Sequence, residues 1–594
     1  MTRPLLVTTA LEQTWGSDEP ILYAGEWCRL YDRKHAWSRR RHEVLPYHWG
    51  DRAKLLRDYQ YLDDLQESLL VHIAESLNRY HNLDRPVRYW RIVLGPWLPT
   101  YAPVLFDRWE CLRVAFEHGR ELETIALPSC EHTEPPLDGD TFINSAAYSA
   151  EWNHGMFLRI IRRAYQAQCD IRGVEAATAE QPGSAAGSTG GRSALAARVA
   201  KAMLRMAARE LDAAAGALFR RSKVTFVVSY FPLSALVRLN LALGQVPRLH
   251  MKEFEYPMEF SRLASAREVS SLRIARAPTS QFEEFLTDEL ARNIPRAYVE
   301  GFPELMERVR QIRISTRAIC SANAHWSNEL FKLWCAEQVL KGTKLVALTH
   351  GGAIPVLIDQ TMYFEEKISD KKVTWTIPYQ PNHVRLPPNK LVSWRVKSSK
   401  RLCSVITQET PLHPFRASGG PIGVDVLESI TLVCKLFTGL RPEIQQLFRV
   451  KPYRNLGWNT RQRFSDAIGA DKIFAGASYK SCLARSRVVI CTYPETTFAE
   501  AMASGLPTLL VYAAHLWETI PQMEGLLDTL RAASIVFDDP QLAADHVNRI
   551  WSDPDTWWSS PSVMQARNQF FSHCLELDGQ WLAQWTAFMR GIAA

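Results

Sequence analysis

The residues of this chain best suited to holding an anion lie in Arg487–Tyr512, RVVICTYPETTFAEAMASGLPTLLVY. Val488–Cys491 is an apolar run of strand type, Pro494 ends it, and a helix is expected from near Thr497 to about Ser504. Gly505 stands where a C-cap glycine belongs, Pro507 blocks continuation, and Thr508–Tyr512 reads as a second strand. Thr497 and Glu500 have the T-x-x-E spacing of a capping box. The first turn of a helix leaves backbone N–H groups unpaired and carries partial positive charge, which suits a phosphate. Tyr493, Glu495, Thr496, Thr497 and Glu500 surround that turn, and the two threonines could add hydroxyl donors. Capping of the helix by its own residues is the competing use.

Proton transfer needs an imidazole or a carboxylate at a place a substrate reaches. His350 follows the apolar run Lys344–Leu348 and precedes Gly351-Gly352, which puts an imidazole at the carboxyl edge of a strand where backbone can approach a ligand. Glu26, His48 and Asp107 are the other candidates, from an Arg-, His- and Trp-rich region and from the aromatic stretch Arg88–Glu110. Packed rings and paired charges are the alternative for each, and spacing leaves the four open. His42, Glu43 and His48 do not have the H-E-x-x-H spacing of a zinc helix, and Pro46 interrupts them. No metal site and no cofactor is expected.

These residues require a scaffold of strands and helices in alternation. From Arg401 onward the rhythm is regular: a strand at Leu402–Thr407, the turn Ser418–Gly423 with Gly419 and Gly420, a helix over Val424–Leu440, and a strand before Lys451-Pro452-Tyr453-Arg454. Lys451, Arg454, the glycine turn and the Thr496–Thr497 turn would share one sheet edge, where cations compensate phosphate charge. Leu5–Thr9, Ile21–Ala24, Val224–Phe231, Lys344–His350 and Val373–Ile377 read as further strands, and Lys54–Tyr80 as an amphipathic helix. Cys169–Arg198 is rich in Ala, Gly and Ser and reads as a flexible insertion, about 170–198. The resulting division is an N-terminal α/β unit over 1–395, a nucleotide-binding unit over 400–560, and a helix over 561–594 crossing back, anchored by Trp557-Trp558.

At 594 residues the chain exceeds one core. Its net charge of +7 suits an anionic substrate or a loose contact with an acidic membrane surface, but no Lys/Arg block is dense enough for nucleic acid. Eleven scattered cysteines without a metal-type spacing read as reduced thiols of a cytoplasmic protein. The longest apolar stretch, Val224–Gly244, is interrupted by Pro232, Arg238 and Asn240, against a membrane span.

The segments LVTTALEQTW, GEWC, YHWGDR, LNRYH, RYWRIVLGPWL, LFDRWE, THGG, KPYRNLGW, TYPETTFAEAMASGLPTLLVY and DPDTWW together resemble a family of bacterial transferases associated with O-antigen and other surface-polysaccharide gene clusters. The C-terminal half also resembles GT-B glycosyltransferases, including Kdo transferases that use CMP-Kdo. The resemblance implies two Rossmann-like domains facing across a cleft and a metal-independent glycosyltransferase. Its donor would be a nucleotide sugar, a CMP-sugar such as CMP-Kdo first, and its acceptor a surface glycan or lipid-linked glycan. Peripheral contact with the inner membrane would accompany such an acceptor. Thr349 stands where that pattern has Gln before His350-Gly351-Gly352. A polyol-phosphate transferase using a cytidine nucleotide, and a non-catalytic glycan-binding scaffold, are the two rival readings.

Overall fold

The computed structural model describes residues 3–131, 134–173, 222–250, 252–256, 276–577 and 579–594, with Glu210 and Phe260 besides. Fifteen strands form three five-stranded sheets among these residues, and every strand pair is parallel. The first sheet contains β1 (Leu5–Val7), β2 (Ile21–Tyr23), β3 (His42–Val44), β4 (Leu122–Ala126) and β5 (Cys169–Gly173), in the order β3-β2-β1-β4-β5. The second contains β6 (Val224–Val227), β7 (Ala318–Ser321), β8 (Lys344–Leu348), β9 (Lys371–Thr374) and β10 (His383–Arg385), in simple sequence order. The third contains β11 (Leu402–Ile406), β12 (Phe448–Lys451), β13 (Ser486–Cys491), β14 (Thr508–Val511) and β15 (Val536–Phe537), in the order β12-β11-β13-β14-β15.

The parallel α/β class expected from the sequence is the one observed. The stretch 1–395 differs in holding two sheets rather than one. Both rest on a single apolar core that runs from Leu5 and Leu6 through Leu62, Trp97 and Leu105 to Trp334 and Leu345, which is why no linker signal separates them. Six strands escaped the sequence reading: β3, β4, β5, β7, β10 and β15. β3 spans only His42–Val44 and is polar, and β5 takes up Cys169–Gly173, the start of the stretch read as an insertion. β5 is mostly exposed beyond Cys169, so it lacks the apolar run that marks a buried strand. The remainder of that stretch, 174–198, lies outside the described residues.

The third sheet shows how alternation in sequence builds two layers. Val489, Cys491, Leu510, Leu402 and Ile406 enter one core with the helices Thr496–Ala503, Glu524–Ala532 and Pro561–Cys574. Val488, Ile490, Leu509, Val511, Cys403 and Val405 enter another with the helices Val426–Gly439, Thr460–Ile468 and Pro540–Ile550. Its strand order reverses between β11 and β13. In open parallel sheets, ligands bind in the crevice beyond the carboxyl ends of the strands at such a switch point.

The last helix, Trp581–Ile592, leaves the third sheet and packs on the second: Trp581, Trp585 and Met589 join Val224, Phe226, Cys320 and Leu348. Trp585 Nε1 donates to Pro387 O at 2.9 Å. Trp557 and Trp558 do not supply this anchor. They stay with the third sheet, where Trp558 Nε1 donates to Gly505 O at 2.8 Å. Among the described residues no helix is long and apolar enough to cross a membrane.

Candidate active site

Beyond the β11/β13 switch point lies a cavity of ≈ 600 Å³, within the size range of small-ligand sites. Loops of all three sheet regions meet there. The loop after β11 contributes Gln408, Thr410, Arg416, Ser418 and Gly420, and the loop after β12 contributes Tyr453 and Arg454. The turn after β13 contributes Tyr493, Glu495, Thr496 and Thr497, with Glu500 one turn further on. Tyr148 arrives from the first sheet's helices, and Tyr230, His350 and Lys390 from the second-sheet region.

The turn after β13 opens on this cavity, but its helix starts two residues earlier than the T-x-x-E spacing predicts. Glu495 is the N-cap residue of Thr496–Ala503, and no side chain caps the helix. Glu500 pairs instead with Lys390 Nζ at 2.6 Å, a partner from more than a hundred residues upstream. A local cap is worth ~1 kcal/mol, less than a charge-assisted contact in a mostly buried place, so the long-range partner wins. Burial pushes the Glu500 carboxyl up, and Lys390 opposes that. Tyr479 Oη donates to Thr497 O at 2.5 Å and ties the turn to the helix Tyr479–Leu483.

The His350 loop is bonded to the same turn. Gly352 N donates to Thr496 Oγ1 at 2.7 Å and Ile354 N to Pro494 O at 3.1 Å. Gly352 has a φ of 106°, a backbone state open to glycine. A Cβ on Gly351 would stand 2.2 Å from Thr496 Oγ1, so only glycine allows this approach. The His350 ring stacks on Tyr230 with centroids 6.3 Å apart. Tyr230 has a φ of 59° and the β-branched Val228 a φ of 47°, an uncommon pair of left-handed residues at the mouth of a cavity. Asn389 Nδ2 donates to Ser229 O at 2.6 Å between them.

Glu495 is exposed to the cavity yet surrounded by protein, and that loss of bulk water, with Asp359 nearby, pushes its carboxyl up to about 7. Arg416 and His350 partly offset the shift. For His350, burial favours the neutral ring, but the carboxylate of Glu365 outweighs it and the imidazole is raised above its ordinary value. A carboxyl pushed up to about 7 and an imidazole raised above its ordinary value are suited to moving a proton. Arg416 and Arg454 bring positive charge to the walls, whereas Lys390 is matched by Glu500. Glu409 accepts from Leu456 N at 2.7 Å, from Trp458 N at 3.1 Å and from Thr460 Oγ1, which shapes the loop carrying Tyr453 and Arg454.

Of the four proton-transfer candidates, His350 alone lines the cavity. Glu26 pairs with Arg29. His48 and Asp107 are buried together, His48 Nε2 at 3.1 Å from Asp107 Oδ1, with Tyr47 Oη donating to the same oxygen at 2.7 Å. Arg108 Nη1 donates to Asp107 Oδ2 at 2.5 Å and to Pro414 O at 2.5 Å, so this cluster braces the loop after β11. Burial alone would raise the Asp107 carboxyl, but Arg108, His48 and Tyr47 bring it below its ordinary value. His48, Asp107 and Cys111 place ligand atoms within 4.8 Å of one another, but the carboxylate is already matched by Arg108 and burial holds the thiol protonated. That donor set is committed to structure. Gly351 and Gly352 line a smaller neighbouring cavity with Asp359 and Glu495. Gly419 packs under the chain at Ile358, and neither it nor Lys451 is among the residues lining the larger cavity.

Sequence reasoning missed Tyr148, Tyr230, Lys390, Gln408 and Arg416. Arg416 alone had a signal, its place two residues before the Ser418–Gly420 turn.

Parallel sheets with a polar cavity beyond a switch point are the arrangement of an α/β protein with a candidate small-ligand site. The LIC12162 family transferase profile matches residues 4–589, and the chain belongs to that family. It is a transferase by that membership. Comparison with curated protein sequences finds no match. Among solved structures, the chain is similar to MnaA of S. aureus, solved with UDP, at 8% identity over 61% of this chain and 94% of that one, TM-score 0.33. It is similar to MurG of Acinetobacter baumannii at 11% identity, over 62% and 99%, TM-score 0.30. It is also similar to the wall teichoic acid polymerase TagF at 8% identity, over 51% and 77%, TM-score 0.30.

Proposed function

We propose that this protein moves a glycosyl group from a nucleotide sugar to a glycan or lipid-linked acceptor. The observation that carries the reading is the amino end of the helix Thr496–Ala503 opening on a cavity that also holds Arg416, Arg454 and Lys390. Helix dipole and cations together stabilise the charge that a leaving nucleoside phosphate develops, a task that otherwise falls to a divalent ion. Thr496 and Thr497 sit at the phosphates, with Arg454 and Arg416 flanking them. His350 accepts the acceptor hydroxyl's proton, and Glu495, its carboxyl pushed up to about 7, shares that role. The aromatic rings of Tyr148, Tyr230 and Tyr453 offer faces for sugar or base. A cytidine nucleotide is the first donor to try, and the acceptor is of the surface-polysaccharide kind, met at the cytoplasmic face of the inner membrane.

Thermal shift against CMP, UDP, GDP and dTDP, each with and without EDTA, tests this. A ligand at a hundred times its dissociation constant stabilises by roughly 2.7 kcal/mol. The expected result is a response to at least one nucleotide, unaffected by EDTA and lost when Arg416→Ala and Arg454→Ala are combined. A double variant that responds like wild type moves the phosphate seat elsewhere.

A further inference from the structure

His350 is held from behind by a set of buried charges that makes no contact with the cavity. Glu365, on the helix Gln360–Ile368, is fully buried, with Oε1 3.7 Å from His350 Nδ1. His350 Nδ1 is itself inaccessible, while 36% of the side chain stays open, so the ring turns its opposite edge, with Nε2, toward the cavity. Glu365 is fixed in turn: His325 Nε2 lies 3.1 Å from Oε1, Trp326 Nε1 donates to Oε1 at 3.1 Å, and Lys372 Nζ lies 3.3 Å from Oε2. Lys372 also pairs with Glu366 at 3.7 Å, and Glu366 with His383 at 2.7 Å. Two elements of the second-sheet region, the helix Ala324–Ser327 and β9, thus converge on one carboxylate whose remaining neighbour is the imidazole at the cavity wall.

We infer that Glu365 is the positioning residue of His350: its buried carboxylate faces the ring's inner nitrogen and sets the orientation of the ring, without touching a substrate. The charged groups facing His350 are Glu365 and Asp359 from the helix Gln360–Ile368 and its lead-in, Lys372 from β9, and Glu495 from across the turn. Burial and Lys372 both favour the neutral imidazole, and Glu365 is the strongest group opposing them. Glu365 stays ionised: burial would raise its carboxyl, but Lys372, His325 and His350 hold it well below the carboxylate range. Without that charge, the balance at His350 moves toward the neutral ring.

The inference rests on His350 as the proton acceptor, yet its test needs no turnover. Diethyl pyrocarbonate acylates neutral imidazole, so the rate of His350 modification against pH, read by peptide mass spectrometry on the full chain, gives its titration midpoint. In wild type the midpoint lies above an ordinary histidine's, about 6.5. In Glu365→Gln it falls, because burial and Lys372 are then opposed by Asp359 but no longer by Glu365. Glu365→Asp, which keeps the charge one methylene further back, gives an intermediate midpoint and stands in should the Gln variant fail to fold. An unchanged midpoint in a folded variant of either kind overturns the inference. Nucleotide response in the same variants reports separately on the phosphate seat: retained response with an unmoved midpoint rejects Glu365 alone, whereas lost response in wild type rejects the transferase reading.

Discussion

Thr496 Oγ1 accepts a hydrogen bond from the N–H of Gly352 at 2.7 Å, and this bond joins the cavity-facing helix of the third sheet to the loop that carries His350 from the second. The two parts of the site are therefore one mechanical piece. Thr496→Val removes the acceptor and leaves a partly buried N–H unpaired, a cost of about 1 kcal/mol. Thr496→Ser keeps it. Activity should fall at least tenfold in the first and stay near wild type in the second, measured as kcat at saturating donor. Gly351→Ala should be worse, since its Cβ meets Thr496 Oγ1 at 2.2 Å, and Thr496→Ala in the same chain should partly relieve it.

Glu495 titrates at about 7, so it is mostly neutral at pH 6 and mostly ionised at pH 8. An ionised carboxylate beside a phosphate repels it. Nucleotide affinity in wild type should therefore fall as pH rises through 7, by about tenfold or ~1.4 kcal/mol. Glu495→Gln should bind with no such slope between pH 6 and 8. Calorimetric titration at several pH values measures both.

His413 is buried where the loop after β11 meets the first sheet's helices, its N–H reaching Ala147 O and its ring 6.2 Å from that of Trp27. Burial, reinforced by Arg108, pushes its imidazole down to about 3. Between that value and the ordinary 6.5 the unfolded chain holds a proton that the folded chain does not. Stability therefore rises with pH across this window and is lost as pH falls through it, by roughly 3–5 kcal/mol at the acid end. His413→Leu should flatten the pH dependence of the urea midpoint between pH 6.5 and 4.

Trp585 is fully buried and makes the deepest contact of the last helix with the second sheet. Trp585→Ala should cost about 3–5 kcal/mol and undock Trp581–Ile592. Limited proteolysis should then cut ahead of residue 581 while the third sheet stays protected.

Much of the third sheet was legible before any coordinates, because strands buried on both faces announce themselves. Val488–Cys491 and Thr508–Val511 are continuous apolar runs, and Gly505 and Pro507 end a helix by backbone chemistry that needs no distant partner. The turn at Tyr493–Thr497 and the place of His350 after its strand were legible for the same reason: both follow from local order along the chain. What the turn's side chains do was not. Glu500 leaves its local cap for Lys390, and Thr496 serves Gly352, since a partner brought close by folding outweighs a weak neighbour in sequence. Packing of helices also turned His48 and Asp107 inward, away from the cavity, a choice made by side-chain direction that spacing does not encode. The number of sheets, the cation set of Arg416 and Lys390, and the carboxylate behind His350 were decided in three dimensions. Each depends on which distant segments come to share one volume, and composition along a line carries no measure of that.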